Sequence, residues 1–274
     1  MRKILTGKEV VENIKKQIQE RQNELIKQNT KMKLTILRIG NNLDDLAYQK
    51  SATKRCENYG INVEIIEASN DENKLKKQFD IINNSNTSGL LILGKIPSKE
   101  LKEYICENIN PEIDVDGFGY FNMAKLYTGN ENAMLPCTAE AVMELLKYEN
   151  IDLSGKKITV IGRSLVIGKP LAIALINKNA TVTICHSKTK NLKQECKNAD
   201  IICTSIGKAR LIDKEYIKSG SIVIDIGINY DSNGNLCGDV DFDDVKDIVS
   251  AITPVPKGIG TITNMILIKH IYKI

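Results

Sequence analysis

The spacing of hydrophobic residues alternates between two patterns along the first half of the chain. In one pattern apolar residues recur every three or four positions, as on one face of a helix, and in the other a short run is largely apolar, as in a buried strand. These patterns predict helices at residues 7–28, 46–57, 71–85 and 97–109, and strands at 33–40, 61–68 and 89–94. Strands that alternate with helices in this way predict a parallel α/β sheet.

The second half repeats the alternation. A connecting helix is predicted after Pro136, with Thr138 as its N-cap and Glu140 in its first turn. Strands are then predicted at 157–162, 180–187, 200–207 and 221–228, and helices at 168–179 and 191–199. This order is typical of a doubly wound, Rossmann-type dinucleotide-binding domain. The chain ends in an apolar helix, 260–274, which is expected to pack back on the first half.

The composition is that of a soluble globular protein and limits the possible partners. Of the 274 residues, 42% are apolar and 26% are charged, which allows a full core in one large or two moderate domains. The formal charge is +4, and the lysines are scattered among acidic residues and asparagines, so we expect no binding to nucleic acid. No apolar run approaches the roughly 18 residues that span a membrane, and the N-terminus has too short an apolar run for a signal peptide.

The cysteines and histidines do not form a pattern that binds metal. The seven cysteines include no C-x-x-C pair, and His186 and His270 are far apart in the sequence. An odd number of cysteines in a chain without a signal peptide predicts reduced thiols in the cytoplasm.

The segment 160–170, VIGRSLVIGKP, follows a predicted strand and opens a predicted helix. Gly162 permits a tight turn, Gly168 permits close approach of helix and strand, and backbone N–H groups at the helix start can hold a diphosphate. The middle glycine of the common G-x-G-x-x-G pattern is replaced by Ser164, so the segment also fits a strand–turn–helix without a ligand.

The end of the next strand favours NADP over NAD. Sites that prefer NAD usually end this strand in Asp or Glu, which accepts from the ribose hydroxyls. Here the strand ends in CHSKT, 185–189, without a carboxylate. Ser187 can donate, and Lys188 and Arg163 are positive, which suits a 2′-phosphate. Lys188 also fits a solvated turn, and NAD remains an alternative.

Several motifs resemble, in order, those of the FolD family, the methylenetetrahydrofolate dehydrogenase/cyclohydrolases. In the second half they are VIGRSLVIGKP, NATVTICHSKTKNL, VIDIGIN, GDVDF and ITPVPKGIG. In the first half, RIGNNLDDLAYQKSATKRCENYGI and INPEIDVDGF also resemble FolD motifs without gaps. The resemblance covers nearly the whole chain.

The resemblance implies a two-domain α/β enzyme. Residues 1–137 are expected to form a folate-binding catalytic domain, on which the helix 261–274 packs back, and residues 138–260 a Rossmann-type NAD(P)-binding domain, with the active site in the cleft between them. The family enzyme is usually a cytoplasmic homodimer that serves purine biosynthesis. It oxidises 5,10-methylenetetrahydrofolate to the methenyl cation with NADP and then hydrolyses that cation to 10-formyltetrahydrofolate.

The resemblance also assigns residues. Tyr48 falls on the tyrosine that packs against the aminobenzoyl ring of the folate, and Asp116 on the aspartate that binds the pterin; both count as catalytic residues. A carboxylate suits the pterin because it accepts from the ring amide and the exocyclic amine together. Without the resemblance, a half-buried aromatic and a turn aspartate before Gly117 would explain the same residues.

Further residues fall on ligand-contacting positions. The last active-site loop supplies Pro256, Gly258 and Gly260 to the substrate side. The predicted cofactor-binding residues are Gly162, Arg163, Ser164, Ser187 and Ile228, together with Gly168 and Lys188 from the two turns described above.

Two positions depart from the family pattern together. The catalytic lysine lies four residues after the tyrosine, where this chain has Ala52, and the glutamine that hydrogen-bonds this lysine is replaced by Leu93. A glutamine that orients a buried lysine has no partner once the lysine is gone. The last loop also has Lys257 and Thr261 where the family usually has Gly and Pro.

The two half-reactions need the lysine to different degrees. Hydride transfer needs alignment of the reacting atoms, whereas hydrolysis needs a proton to leave water and another to reach a ring nitrogen. We therefore expect a dehydrogenase with weak or absent cyclohydrolase activity.

Three alternatives remain open. One is a bifunctional enzyme in which another lysine replaces the family lysine. Lys50 and Lys54 lie about 200° and 240° around the helix from Tyr48 and do not share its face, so the candidates are Lys95 and Lys257. Another is a non-catalytic folate- or nucleotide-binding paralogue. The third, a two-domain dehydrogenase acting on a small acid, does not account for DVDGF or PVPKGIG.

Overall fold

The computed structural model describes residues 3–69 and 71–274. They divide into two compact units, one made of Met1–Asn13 and Thr138–Thr263, and the other of Ile14–Cys137 and Asn264–Ile274. We call them the first and the second unit.

The elements alternate between strand and helix along most of the chain. The helices are α1 (Lys8–Lys27), α2 (Leu43–Asn58), α3 (Glu72–Asn83), α4 (Lys99–Asn108), α5 (Tyr120–Tyr127), α6 (Cys137–Tyr148), α7 (Gly168–Ile176), α8 (Leu192–Lys197), α9 (Phe242–Val245) and α10 (Ile259–Tyr272). The strands are β1 (Lys3–Ile4), β2 (Lys33–Arg38), β3 (Asn62–Glu67), β4 (Gly89–Leu93), β5 (Lys157–Ile161), β6 (Thr181–Cys185), β7 (Ile201–Thr204), β8 (Ile222–Asp225), β9 (Asn229–Tyr230), β10 (Leu236–Cys237) and β11 (Ala251–Ile252).

The first unit contains a six-stranded sheet in the order β1-β11-β8-β7-β5-β6, and every pairing in it is parallel. The chain adds β6 on one side of β5 and then returns to add β7 on the other. The crevice between β5 and β7 is therefore the topological switch point, where open α/β sheets bind ligands at the carboxyl ends of their strands.

The second unit contains a three-stranded parallel sheet in the order β3-β2-β4. Helices α3 and α4 pack on this sheet through a core that includes Leu37, Phe79, Leu90 and Ile105, all buried. The parallel α/β class predicted from the sequence is confirmed in both units.

Local capping explains where two of these helices begin. The side chain of Asp71 accepts from the backbone N–H of Lys74 at the start of α3, and Ser98 accepts from Leu101 at the start of α4. Each satisfies one of the donors that the first turn of a helix leaves unpaired.

The predicted N-cap of the connecting helix is wrong. Helix α6 begins at Cys137, so Thr138 lies inside it. The N–H of Cys137 donates a 2.8 Å hydrogen bond to Oδ1 of Asp116, 21 residues earlier. A carboxylate from a distant segment thus replaces the local cap, which a local sequence pattern cannot show.

Several short elements were not predicted. They are β1, α5, the antiparallel hairpin β9–β10, α9 and β11. Strand β1 pairs with β11, Lys3 with Ala251 and Ile4 with Ile252, which places the first residues in the first unit. The family resemblance predicts these first residues in the N-terminal domain, together with the rest of residues 1–137.

Within residues 3–69 and 71–274, no helix has the length and apolar character required to cross a membrane. The same residues contain no group of three or more His, Cys, Asp or Glu side chains placed to hold a metal ion.

Candidate active site

Helix α2 places Tyr48 and Ala52 on one face, because residues four apart lie about 40° from each other around a helix. Tyr48 is half-buried, and Ala52 is only 2% exposed. Lys50 and Lys54 are exposed. The two lysines therefore lie on the solvent side of α2.

Leu93 ends strand β4 and is 7% exposed. It pairs in register with Arg38, and its carbonyl oxygen accepts a 2.7 Å hydrogen bond from Ile39 N. Gly94 follows with φ +95°, and a Cβ there would lie 2.0 Å from the oxygen of Ile39. Positions 52 and 93, where the resemblance implies a lysine and a glutamine, are thus both occupied by buried apolar side chains.

The segment DVDGF is shaped by its first aspartate. Asp114, which is buried, accepts from Phe118 N and Gly119 N, both at 2.9 Å, and from Asn122 Nδ2 at 2.8 Å. Gly117 has φ +60°, and a Cβ there would lie 2.5 Å from the oxygen of Met134. Asp114 therefore builds the turn that holds Asp116 in place.

Two residues that were not predicted, His270 and Cys137, stabilise the backbone next to Asp116. Nδ1 of His270 lies 2.8 Å from the carbonyl oxygen of Val115, and Cys137 Sγ donates to the same oxygen at 3.4 Å. Because a carbonyl only accepts, Nδ1 of His270 is the donor. Both side chains are buried. Lone cysteines and histidines carry no local signal, so only the fold reveals this cluster.

The ionisation of Asp116 and Tyr48 reflects their burial. Burial raises the pKa of Asp116, while the hydrogen bonds from Cys137 act in the opposite direction. Burial also raises the pKa of Tyr48 well above its usual range, and the nearby Cys137 and Asp116 act in the same direction. Tyr48 and Asp116, both predicted to contact the folate, thus influence each other electrostatically, and Tyr48 is a neutral phenol at neutral pH.

The turn after β5 is closely packed, because a side chain at either of two glycines would clash with the protein itself. Gly162 has φ +131°, and a Cβ there would lie 2.6 Å from Ser205 Oγ. A Cβ on Gly168 would lie 2.1 Å from the oxygen of Gly162. Oγ of Ser164 accepts from Ile167 N at 3.1 Å and closes the turn at the start of α7. A closely packed turn between a strand and a helix is typical of the place where dinucleotide-binding domains hold a diphosphate.

The turn after β6 presents the side chains that the sequence analysis assigned to the cofactor. Ser187 and Lys188 are exposed, and so is Arg163 in the preceding turn. Nδ1 of His186 accepts from the N–H of Lys188 at 3.1 Å, and Thr189 Oγ1 accepts from His186 N at 2.8 Å. The turn is therefore fixed by its own hydrogen bonds, and its cationic and hydroxyl side chains are free to meet a ligand.

The last-loop segment 254–261, in which residues 259–261 already begin helix α10, also belongs to the first unit. The peptide bond before Pro256 is cis, and Lys257 has φ +80°. A Cβ on Gly258 would lie 2.4 Å from the oxygen of Pro254, whereas one on Gly260 would meet only Ile228 Cδ1, at 3.8 Å. Ile228 is 63% exposed. The loop places Gly260 beside Ile228, the predicted cofactor contact.

Two buried carboxylates that were not predicted hold the end of β8. Asp225 accepts from Gly227 N, Asp239 N and Val240 N, and Asp239 accepts from Ile206 N, Lys208 N and Thr204 Oγ1. Burial raises the pKa of Asp225 to about 7. Their positions in VIDIGIN and GDVDF explain why both motifs need an aspartate.

The whole chain matches one family. Residues 5–116 match the catalytic domain of tetrahydrofolate dehydrogenase/cyclohydrolase, and residues 136–274 match its NAD(P)-binding domain. The chain is 44% identical to the bifunctional protein FolD of Clostridioides difficile (strain 630), over 98% of this chain and 95% of that protein.

Solved structures give the same result. The bifunctional enzyme FolD of Campylobacter jejuni superposes with a TM-score of 0.93 at 35% identity, covering 100% of this chain and 98% of that one. The Trypanosoma brucei methylenetetrahydrofolate dehydrogenase-cyclohydrolase (FolD), solved with NADP and an inhibitor, has a TM-score of 0.90 at 29% identity, covering 99% and 97%. The chain therefore belongs to the tetrahydrofolate dehydrogenase/cyclohydrolase family, the FolD family.

Proposed function

We propose that this protein is an NADP-dependent methylenetetrahydrofolate dehydrogenase whose cyclohydrolase activity is weak or absent. The observation that carries the proposal is a contrast within the second unit. Tyr48 and Asp116 are present and clustered, whereas buried Ala52 and Leu93 occupy the lysine and glutamine positions of the family.

On the substrate side, the ring of Tyr48 packs against the aminobenzoyl group, and the carboxylate of Asp116 accepts from the pterin amide and amine. Asp116 is fixed for this task from two directions, by the N–H of Cys137 and by the turn that Asp114 builds. On the family resemblance alone, Pro256, Gly258 and Gly260 of the first unit are further proposed substrate contacts.

On the cofactor side, the backbone of Gly162, Arg163, Ser164 and Gly168 holds the diphosphate of NADP, and Ile228 contacts the cofactor. Ser187 and Lys188 bind the 2′-phosphate, with help from Arg163. NADP supplies the chemistry by accepting a hydride from the methylene carbon. Gly162 and Gly168 fit a dinucleotide-binding turn because they let strand, turn and helix pack closely: a Cβ at either position would clash with Ser205 or with the backbone of Gly162.

The hydrolytic half-reaction lacks its proton-transfer group. A positioned acid or base contributes roughly 10²–10⁴-fold to such a step. Tyr48 does not act as the base, because burial raises its pKa and keeps the phenol protonated at neutral pH. Ala52 and Leu93 have no titratable atoms, so we expect the methenyl product to leave the enzyme before hydrolysis, and a separate cyclohydrolase to finish the conversion.

The test uses the purified protein with methylenetetrahydrofolate and either NADP or NAD, with methenyl and 10-formyl products followed separately. Steady accumulation of the methenyl chromophore, faster with NADP, is the expected result. Rapid conversion to the formyl product contradicts the loss of cyclohydrolase activity, and the absence of any turnover supports a non-catalytic paralogue instead.

A bifunctional enzyme is the second candidate, favoured by the name of the C. difficile relative, a bifunctional protein. It requires a substitute lysine. Lys95 and Lys257 are both exposed. If Lys95→Ala or Lys257→Ala abolishes hydrolysis and spares hydride transfer, this candidate replaces the first.

We also propose a homodimer that works in the cytoplasm and serves purine biosynthesis, as the family resemblance implies. The seven cysteines are all buried thiols, which fits a reducing compartment. Sedimentation of the purified protein tests the dimer.

A further inference from the structure

A cation other than lysine lies on the Tyr48 face of α2. Arg55 follows Tyr48 by seven residues, which places it about 20° away around the helix, and it follows Ala52 by three, about 60° away. Lys54, its neighbour, lies about 100° from Arg55 and is exposed. Among the basic residues of α2, Arg55 alone shares the face of Tyr48.

The direction of helical side chains brings Arg55 towards the folate pocket. Side chains on a helix lean to its N-terminus and cover the turn before their own Cα. We therefore expect the long side chain of Arg55 to extend over the turn that contains Ser51 and Ala52, towards Tyr48. Ala52 contributes only a buried methyl group to this face.

One donor of the Arg55 guanidinium has no acceptor. Its Nε is buried and has no hydrogen-bond partner in residues 3–69 and 71–274, although the side chain as a whole is only half-buried. A buried donor on a charged group costs stability unless a partner satisfies it. Arg55 also acts to lower the pKa of Tyr48, against the stronger effect of burial.

We propose that Arg55 is the cation of the folate site, and that its guanidinium donates hydrogen bonds to an acceptor oxygen or nitrogen of the folate bound at Tyr48. The inference rests on the proposed function and names a substrate-binding residue for it.

A guanidinium differs from a lysine in what it can do at this position. It stays protonated in proteins, so it binds and orients a ligand but does not exchange a proton with water. Arg55 thus retains the electrostatic attraction for the substrate that a lysine at position 52 would supply, without the proton transfer. With Arg55 in place of a lysine at position 52, the enzyme would keep its affinity for the substrate and lose hydrolysis.

The first experiment compares Arg55→Met with Lys54→Met, which removes a neighbouring charge on the solvent side of the same helix. Initial rates of methenyl formation are measured against methylenetetrahydrofolate and NADP. For Arg55→Met we expect KM for the folate to rise about tenfold or more, since a hydrogen bond to a charged group is lost. We expect kcat to change less, KM for NADP to stay the same, and Arg55→Lys to recover part of the affinity. Lys54→Met should match the unaltered enzyme.

The inference is overturned if Arg55→Met keeps KM for the folate within about twofold, or if KM for NADP rises equally. Calorimetric binding of tetrahydrofolate to the unaltered protein and to Arg55→Met tests the inference even without turnover. If turnover is absent but Arg55→Met weakens folate binding, only the proposed function fails.

A second experiment introduces a lysine at position 52, about one helical turn before Arg55. Ala52→Lys alone should gain little hydrolysis, because the new ammonium competes with Arg55 for the same space and like charges three residues apart repel. Ala52→Lys combined with Arg55→Ala should hydrolyse methenyltetrahydrofolate faster than either single variant. Equal rates for Ala52→Lys and the double variant contradict the placement of Arg55 over position 52.

Discussion

Nδ1 of His270 donates a 2.8 Å hydrogen bond to the carbonyl oxygen of Val115, the residue before Asp116, across 155 positions of sequence. Helix α10 thereby fixes the backbone from which the proposed pterin-binding carboxylate projects. Lys273 of the same terminal segment binds Glu112 at 2.7 Å and extends this contact.

His270→Phe should lower the free energy of unfolding by about 1–3 kcal/mol, because the buried carbonyl of Val115 loses this donor. It should also raise KM for the folate through displacement of Asp116. Urea unfolding and initial rates measure the two effects. His270→Asn should retain part of both, since its amide nitrogen occupies nearly the place of Nδ1. A matching rise in KM for NADP would show a general effect on folding instead.

Tyr48→Phe should keep dehydrogenase activity within a few-fold, whereas Tyr48→Ala should raise KM for methylenetetrahydrofolate strongly. The reason is that the ring provides packing area and the phenol stays protonated, its pKa being raised by burial. A pH–rate profile should accordingly show no ionisation of Tyr48 between pH 6 and about 10, its ordinary value. A large loss of rate in Tyr48→Phe would assign the hydroxyl a chemical role.

Lys188→Ala should raise KM for NADP about tenfold and leave KM for NAD nearly unchanged, because only NADP carries the 2′-phosphate. Lys190→Ala is the matched control, since Lys190 is also exposed and lies two residues further along. Initial rates with both cofactors decide the outcome. An equal effect of the two substitutions would indicate a general electrostatic attraction.

Gly168→Ala should weaken cofactor binding and lower the free energy of unfolding by about 1–3 kcal/mol, the usual cost of overpacking. The added Cβ would lie 2.1 Å from the oxygen of Gly162, which is backbone and cannot move aside. For stability, Gly260→Ala is the control, because its Cβ would meet only Ile228 Cδ1 at 3.8 Å. Thermal unfolding with and without NADP measures both effects.

Asp225 should make stability depend on pH. Its pKa is about 7 in the folded protein and 3.8 ordinarily, so between these values the folded state holds a proton that the unfolded state has lost. The free energy of unfolding should therefore fall as pH rises from about 4 to about 7, by up to about 1.4 kcal/mol per pH unit. Asp225→Asn should flatten the slope. Asp243→Asn should not, because Lys246 lowers the pKa of that exposed carboxylate and moves its effect below this range.

The sequence predicts most of the fold because periodicity is a local signal. Helix α7 and strand β5 lie inside their predicted ranges, 168–179 and 157–162. Strands β1 and β11, with two residues each, are too short to show a period, and their pairing joins segments about 250 residues apart. The missed cap of α6 has the same cause, since Asp116 reaches Cys137 through the fold.

The residues of the candidate site also fall into two groups, those that a local motif predicts and those that only the fold identifies. Gly162, Ser164 and Gly168 form a contiguous motif, and the turn geometry agrees with it. His270, Cys137 and Arg55 carry no motif. Their contributions depend on which face or segment the fold places near Asp116 or Tyr48, and burial and hydrogen bonding are needed to identify them.

The contact between His270 and Val115 has a consequence for synthesis of the protein. Each unit is assembled from two stretches that are far apart in the sequence. Many contacts therefore join distant residues, and such a high contact order predicts slow folding. On the ribosome, the turn that carries Asp116 is made long before α10 exists to hold it. The folate site can therefore reach its final form only after residue 270 has emerged, and a fragment that stops at residue 137 should not bind the substrate.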